Sequence, residues 1–213
     1  MPMWASLTDA CDEIATEKLK DRPQPLVREV PSAVGSLVAI HGAHADHRAF
    51  ASTWEAAVPD RWTVVTPTGI EPLYSGGWGW SRSIQASARA VLADVQGLAA
   101  DRPLVLTGFS IGSAIAAQII LSGGLAANGL IAVAPSSFSD FDELKALGKL
   151  GTAMLVLCGG LDTRVEKYRR LESAIGNRDG VTIEIVEGMG HQFPSDLQSR
   201  IGQFLTKVKD QGS

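Results

Sequence analysis

Three polar residues, each following an apolar run, could together perform nucleophilic catalysis. Ser110 lies at the centre of residues 108–112, whose sequence fits the G-x-S-x-G pattern of a serine on a sharp strand-to-helix turn. Asp162 and His191 follow it along the chain. A histidine can take the proton of the serine hydroxyl, and a carboxylate can hold the imidazole in the required tautomer. The order of serine, acid and base therefore predicts covalent acyl transfer through Ser110.

Acyl transfer develops negative charge on an oxygen atom, which backbone N–H groups can stabilise. The N–H of Ile111 begins the predicted helix after Ser110, and the N–H of Ala43 follows the apolar run that ends in His41. These two groups are the candidates for an oxyanion hole. His41 is expected to brace the loop before Ala43 through hydrogen bonds.

Each of these assignments has an alternative. Asp162 could be a solvated turn aspartate, and Asp140 and Asp142, one predicted strand earlier, are rival acids. His191 could be an ordinary loop histidine. Asp162 is favoured among the acids, and His191 is favoured as the base because His41 is the only other histidine tied to a strand end.

A short cluster of histidine and aspartate follows the first candidate oxyanion donor. His44, Asp46 and His47 are closely spaced and have no evident fourth ligand group, so a solvated loop is favoured and no metal is expected. His44 is nevertheless expected near the entrance of the site, where it would contact substrate, because it follows Ala43 directly.

Four further side chains are candidates for substrate contact. Trp78 and Trp80 lie in a glycine-rich loop after a strand end, and one of them is expected to line an acyl or aryl pocket. The alternative is that these tryptophans only cover the sheet. Phe138 follows another strand end and is expected to form the opposite wall. Met189 flanks the candidate base and is expected to contact the leaving group.

Bringing these residues together requires a sheet whose strands end at the candidate site. Short apolar runs predict strands, and apolar residues at steps of three and four predict helices. Strands are predicted at 36–42, 62–66, 104–106, 129–134, 153–158 and 181–186, with 26–30 as a candidate edge strand. Helices are predicted at 7–20, 49–57, 84–100, 113–120, 164–175 and 197–208, with a helical or irregular return at 141–150.

Alternating strands and helices predict an α/β fold, with a mainly parallel central sheet of about six to seven strands and helices on both faces. Ligand sites of such sheets lie beyond the carboxyl ends of the strands. The interval between the strands at 129–134 and 153–158 is too short for a cap domain, so the site is expected to be open. One domain is expected over 1–213, with a helix and connector at 1–31 before a catalytic core at 32–213.

Composition excludes several classes of function. The chain has 213 residues, 45% of them hydrophobic and 20% charged, and its formal net charge is −4. It lacks the basic footprint of a nucleic-acid-binding protein, and no apolar stretch is long enough to span a membrane. The N-terminus lacks the apolar centre of a secretory signal, so a cytoplasmic location is expected. Cys158 is expected to be a buried thiol, although a disulfide with Cys11 stays open.

Motifs from residue 37 onward resemble those of the α/β-hydrolases, and in particular the small, capless phospholipase/carboxylesterase group that includes the acyl-protein thioesterases. The matching segments are 38–42 before the oxyanion loop, 108–112 at the serine, 160–165 at the acid, and 188–191 with Pro194 at the base. The acid loop departs from the group's pattern, because Gly159 and Gly160 stand where a His-Gly pair is common and no proline follows Val165.

The residues and the resemblance together predict a carboxylesterase-type serine hydrolase. It is expected to act on short- to medium-chain acyl esters, or on thioesters, through an acyl-enzyme. A small-molecule ester is the expected partner, no cofactor is expected, and a homodimer stays open. The alternatives are a dienelactone-hydrolase-like or other hydrolase on the same fold, and a non-catalytic binding protein that kept the fold. Dienelactone hydrolases commonly use cysteine where this chain has Ser110, and the presence of all three candidate residues argues against a binding protein.

Overall fold

A computed structural model of the chain describes residues 22–43, 45, 47–74, 76–98, 101–136, 141–175 and 180–211. The predicted helix at 7–20 and Cys11 lie outside these residues. The strands are β1 (Leu26–Arg28), β2 (Gly35–Ile40), β3 (Trp62–Thr66), β4 (Glu71–Pro72), β5 (Trp78–Gly79), β6 (Leu104–Phe109), β7 (Gly129–Val133), β8 (Ala153–Gly159) and β9 (Val181–Val186). The helices are α1 (His47–Ala57), α2 (Ile84–Val95), α3 (Ile111–Leu121), α4 (Phe141–Lys149), α5 (Val165–Ile175) and α6 (Leu197–Gln211).

Within the described residues, seven strands form one sheet in the order β1-β3-β2-β6-β7-β8-β9. Neighbouring strands are parallel except for β1, which pairs with β3 in the antiparallel direction. The register places Ile40 beside Gly108 and Phe109 beside Val133, so β2, β6 and β7 end at the same edge of the sheet. The predicted mainly parallel sheet is confirmed, and the residues that follow these strands share that edge.

Alternate strand residues face two apolar layers, as the two-residue period of a strand requires. On one face, Val38 and Leu106 pack with residues of α2, α3, α4 and α5. On the other face, Leu37 and Val105 pack with residues of α1 and α6. Strands β2, β7 and β8 are buried along their whole length, which explains why their sequences are nearly continuous apolar runs.

Element ends differ from the prediction where local signals are weak. Helix α2 ends at Val95 instead of residue 100, since Gly97, a poor helix former, follows its last turn. Helix α3 begins at Ile111, two residues before the predicted start, because Ser110 takes the N-cap position. The predicted loop at 67–83 contains the hairpin formed by β4 and β5. The candidate edge strand at 26–30 is confirmed as β1.

The carboxyl edge of the sheet, where β2, β6 and β7 end, carries no helical cap in the described part of the chain. The described part of the connection from β7 to β8 contains one helix, α4, which packs its buried residues Leu144 and Leu147 against the core. None of the helices that the structure describes has both the length and the apolar character that crossing a membrane requires.

Candidate active site

Ser110 lies at a sharp turn between β6 and α3, in a backbone conformation that side chains rarely adopt. Its φ is 54° and its ψ is −118°, which is strained for any residue with a Cβ. A Cβ on Gly108 would lie 2.2 Å from the backbone carbon of Gly112, and a Cβ on Gly112 would lie 2.1 Å from the carbonyl oxygen of Ile40. Side chains at these two positions would therefore obstruct the turn, which explains the two glycines of the G-x-S-x-G pattern.

Hydrogen bonds hold the backbone of Ser110 in this conformation. Its N–H donates to the carbonyl of Val133 at 3.0 Å, and its own carbonyl accepts from the N–H groups of Ser113 and Ser136, each at 3.2 Å. The hydroxyl of Ser113 donates to the carbonyl of Gly108 at 2.7 Å. The end of β7, the loop after it and the first turn of α3 therefore all fix the strained turn.

The structure brings the three predicted catalytic side chains together. Ser110 Oγ lies 3.1 Å from His191 Nε2, and His191 Nδ1 lies 2.6 Å from Asp162 Oδ2. An ionised carboxylate only accepts hydrogen bonds, so Nδ1 carries the hydrogen and Nε2 accepts from the serine hydroxyl. The side chain of His191 is 39% exposed and that of Asp162 is 2% exposed. The imidazole is therefore accessible to a molecule from solvent, whereas the carboxylate is buried beneath the imidazole.

The environment of Asp162 favours its ionised form. Burial alone raises the pKa of this carboxyl, but hydrogen bonds from His191 and from the N–H of Arg164 outweigh burial and lower the pKa below its ordinary value. The N–H of Arg164 donates to Oδ1 at 2.9 Å, and the guanidinium lies 3.6 Å from the same oxygen. An ionised Asp162 can stabilise the imidazolium that forms when His191 accepts a proton.

The acid loop after β8 and the base loop after β9 approach each other through glycines. A Cβ on Gly159 would lie 2.2 Å from the carbonyl oxygen of Met189. The N–H of Leu161 donates to that carbonyl at 2.9 Å, and the N–H of Gly160 donates to the carbonyl of Val186 at 2.8 Å. These contacts fix the spacing between acid and base. The sequence signal for these contacts is the glycine pair at 159 and 160, which departs from the pattern of the phospholipase/carboxylesterase group.

An aromatic cluster lies beside the imidazole of His191. The ring centroids of Phe109 and His191 are 5.1 Å apart, and those of Phe109 and Phe193 are 4.8 Å apart. Phe193 also packs on Phe50 and Trp54, at 5.8 Å and 6.0 Å. Phe193 therefore anchors the base loop to the apolar layer formed with α1. The sequence analysis missed this role, for which an aromatic residue two positions after the base was the available signal.

A stack of His41 on Trp80 holds the loop after β2. Their ring centroids are 4.6 Å apart, and the indole N–H of Trp80 donates to the carbonyl of His41 at 2.7 Å. His41 is buried, and its Nδ1 lies 2.8 Å from the carbonyl oxygen of Gly42. These contacts fit the bracing expected of His41. Trp80 is 8% exposed and packs in the core, the alternative that the sequence left open, whereas Trp78 is only partly buried.

The remaining predicted site residues fall in three groups. Ala43 is exposed in the loop after β2, and Ile111 is partly exposed at the start of α3, so both lie at the carboxyl edge of the sheet. Met189 is buried in the base loop, where its carbonyl makes the contacts with the acid loop. His44 and Phe138 lie outside the described residues.

The rival acids, and a further residue of the cluster that was considered as a metal site, also lie outside the described residues or have undescribed side chains. Asp46 and Asp140 are not described, nor is the side chain of Asp142. Among the side chains that are described, no group of three or more histidine, cysteine, aspartate or glutamate residues could hold a metal ion. Cys158 is buried, as predicted, and burial together with the charge of nearby Asp162 raises the pKa of its thiol to about 11. The thiol is therefore protonated at neutral pH.

Known structures share this architecture at low sequence identity. No model of a known protein family matches the chain, and no curated protein matches it significantly. Acyl-protein thioesterase 2 of Zea mays superposes with a TM-score of 0.64 at 16% identity, covering 87% of this chain and 99% of the other. Esterase PE8 gives 0.62 at 20% identity, covering 87% and 98%. An uncharacterised protein from Bacillus cereus gives 0.70 at 17% identity, covering 94% and 67%. The chain therefore has the α/β-hydrolase fold.

Proposed function

We propose that this protein is a serine hydrolase that cleaves carboxylic esters through an acyl-enzyme. Ser110 is the nucleophile, His191 the general base and Asp162 the acid that orients and stabilises the imidazole. The observation that carries the proposal is the continuous chain of contacts from Ser110 Oγ through both ring nitrogens of His191 to a buried carboxylate, at 3.1 Å and 2.6 Å. Both distances are within the range that proton transfer needs.

In the acylation step, Ser110 Oγ attacks the carbonyl carbon of the ester while His191 Nε2 takes the hydroxyl proton. The tetrahedral intermediate carries its charge on the former carbonyl oxygen. We assign the N–H groups of Ile111 and Ala43 as the donors to that oxygen, since Ile111 begins α3 and Ala43 follows β2, both at the carboxyl edge of the sheet. Loss of one such donor typically costs about 3–4 kcal/mol of transition-state stabilisation.

The intermediate collapses when the bond to the leaving group breaks and His191 gives its proton to the leaving oxygen or sulfur. Water then attacks the acyl-enzyme, with His191 again taking a proton, and Ser110 is regenerated as the free acid leaves. The buried carboxylate of Asp162 stabilises the imidazolium in both halves. No step requires a metal or an organic cofactor.

The open carboxyl edge of the sheet supports an assignment of the substrate class. The imidazole is partly exposed and the described connection from β7 to β8 forms no cap, so a substrate can approach from solvent. We assign short- to medium-chain acyl esters, with thioesters as the related class, and place Trp78 at the acyl pocket. Similar folds that are named as an esterase and as an acyl-protein thioesterase are consistent with this class.

The test is burst kinetics with p-nitrophenyl acetate and butyrate, followed by labelling with a fluorophosphonate probe. We expect a burst of one p-nitrophenolate per chain and a single labelled residue, Ser110. Ser110→Ala should abolish both signals. Ser122→Ala is the matched control, since Ser122 lies at the opposite end of the same helix and should leave both unchanged.

Two results would contradict the proposal. Unchanged turnover in Ser110→Ala would show that another residue performs the chemistry. Absence of a burst and of labelling in the wild-type protein, across esters of increasing chain length and a thioester, would instead favour the non-catalytic binding protein.

A further inference from the structure

The loop formed by Ala134, Pro135 and Ser136, which we call the β7 loop, lies against the backbone of the nucleophile. Ser136 donates its N–H to the carbonyl of Ser110 at 3.2 Å, and the residue before the loop, Val133, accepts the N–H of Ser110 at 3.0 Å. The same short segment therefore satisfies both backbone polar groups of Ser110. A strained backbone persists only where its surroundings over-determine it, so the position of this loop matters to the nucleophile.

The β7 loop is itself held by groups from the acid side of the site. Ala134 has a positive φ of 43°, and its N–H donates to the carbonyl of Leu157 in β8 at 2.7 Å. The hydroxyl of Tyr168 donates to the carbonyl of Pro135 at 3.1 Å. Tyr168 is fully buried in α5, and Pro135 is buried too. A carbonyl buried without its donor is costly, so this bond ties the loop to the helix.

Tyr168 and the acid belong to one short segment. Asp162 ends the acid loop, the N–H of Val165 donates to the carbonyl of Asp162 at 3.0 Å, and α5 continues from Val165 through Tyr168. One continuous segment therefore presents a carboxylate to the base and a phenol to the loop that supports the nucleophile. Its position affects the distance between Ser110 and His191 from both sides.

We propose that Tyr168 is a positioning residue for the nucleophile, acting through the carbonyl of Pro135 and the N–H of Ser136 on the backbone of Ser110. This inference rests on the proposed function, because it concerns the orientation of Ser110 Oγ toward His191. Tyr168 takes no part in proton transfer. Its hydroxyl holds the β7 loop where the strained conformation of Ser110 is stable.

The experiment compares wild-type protein with Tyr168→Phe, using p-nitrophenyl butyrate for kcat and KM and a fluorophosphonate for the rate of Ser110 labelling. Small displacements of reacting groups carry large rate effects, so we expect kcat and the labelling rate to fall roughly tenfold. KM should change by less than about twofold, because substrate binding is untouched. Rates are expressed per folded molecule, measured by near-ultraviolet circular dichroism.

Thr152→Val is the matched control. The hydroxyl of Thr152 is buried and donates to the carbonyl of Ala127 at 3.0 Å. This bond joins the residues just before β7 to those just before β8, at the opposite end of the sheet from Ser110. Thr152→Val should therefore lower the melting temperature, as Tyr168→Phe does, and leave kcat and the labelling rate unchanged. An equal fall of kcat in both variants would overturn the inference, because it would reflect general stability.

The outcomes separate this inference from the proposed function. A wild-type protein that neither hydrolyses nor labels contradicts the proposed function. A reactive wild-type protein with an equally reactive Tyr168→Phe variant overturns the role of Tyr168 alone. If Tyr168→Phe does not fold, Ser136→Pro decides, because it removes the N–H through which the β7 loop acts on the backbone of Ser110. Slower labelling in Ser136→Pro at unchanged KM supports the inference, and wild-type labelling overturns it.

Discussion

The two ends of the central sheet differ in how their backbone groups are held. At the carboxyl end, Ser110 and Ala134 have positive φ values of 54° and 43°, and the glycines around the nucleophile and the acid have no room for a side chain. Conformations of this kind cost of order 1–3 kcal/mol each. At the amino end, Ser32 before β2 is the remaining described non-glycine residue with a positive φ, at 59°. The chain therefore stores more backbone strain at the edge that carries the proposed catalytic residues than at the other.

At the amino end of the sheet, side chains join neighbouring segments through hydrogen bonds to the backbone. Arg102 donates to the carbonyl of Ala33 at 3.1 Å, and the N–H of Leu104 donates to the side-chain oxygen of Asn128 at 2.9 Å. Arg28 alone donates to several carbonyls between the end of α1 and the start of β3. The amino end of the sheet therefore contributes stability, whereas the carboxyl end holds a strained backbone that lowers stability but positions the proposed catalytic residues. Substitutions at the two ends should therefore separate activity from stability.

The largest expected effect is at the carboxyl end, from Asp162→Asn. The amide keeps the shape of the carboxylate but presents an N–H₂ or a neutral oxygen to His191, so the imidazole loses its required tautomer and its counter-charge. We expect kcat for p-nitrophenyl butyrate to fall about 10⁴-fold. Activity within tenfold of wild type would show that another carboxylate, such as Asp140 or Asp142, serves as the acid.

The same variant carries a prediction about pH. Hydrogen bonds from His191 and Arg164 lower the pKa of Asp162 despite the opposing effect of burial. A carboxyl whose pKa is lowered on folding stabilises the folded state above its unfolded pKa of about 3.9, and this stability is lost as the pH falls through the lowered value. Wild-type protein should therefore lose more unfolding free energy than Asp162→Asn between neutral pH and pH values near 2, as measured by urea titration.

At the amino end, Arg28→Ala should lower stability and spare activity. The guanidinium donates to the carbonyl of Glu55 at 2.6 Å and to that of Trp62 at 3.1 Å, so its loss leaves one carbonyl at the end of α1 and one at the start of β3 without a charged donor. We expect the free energy of unfolding to fall by about 1.5–3 kcal/mol, read from urea titration, with kcat unchanged. Arg61→Ala is the control, since Arg61 directly precedes Trp62 in the chain and is exposed. A fall in kcat would erase the contrast between the two ends.

The sequence predicted features whose physical cause is local. Ser110 between two glycines, after a β-run and before a helix, is sufficient to indicate a strained turn. The clash that requires glycine at position 108 is local, with the backbone of Gly112, whereas the clash that requires glycine at position 112 is with the carbonyl of Ile40 in β2. The apolar runs of the inner strands are equally local, since a strand covered on both faces must be apolar at every position. Parallel strands end at the same edge of the sheet, so Asp162 and His191, which follow two of the strands, could be predicted to lie near Ser110.

Contacts between distant segments could not be predicted in this way. The bond from Tyr168 to Pro135 and the packing of Phe193 on Phe109 depend on the register of strands and on helix orientation, which no short pattern encodes. Trp80 illustrates the same limit: its glycine-rich surroundings are compatible with a pocket wall, but the indole N–H bond to His41 sets it in the core. Tyr168, Phe193 and Trp80 contact the segments that carry the site residues, and sequence spacing does not predict such contacts.

The smallest expected effect concerns the strain at the nucleophile itself. Glycine adopts the φ and ψ of Ser110 without steric cost, whereas alanine keeps the penalty of a Cβ. Both Ser110→Gly and Ser110→Ala should be inactive. Relief of strain outweighs the extra unfolded-state entropy of glycine, so the glycine variant should be roughly 1 kcal/mol more stable than the alanine variant.

At Ser122, at the other end of α3, we expect the stability difference between the glycine and alanine variants to have the opposite sign. Its φ of −78° and ψ of −4° are ordinary helical values, so glycine gains nothing there and only adds entropy to the unfolded chain. Ser122→Gly should be less stable than Ser122→Ala by roughly 0.5–1 kcal/mol. Urea titrations of the four variants measure both differences. If glycine lowers stability at both positions, Ser110 is not strained, and the proposed division between a strained catalytic end and a stabilising end of the sheet is wrong.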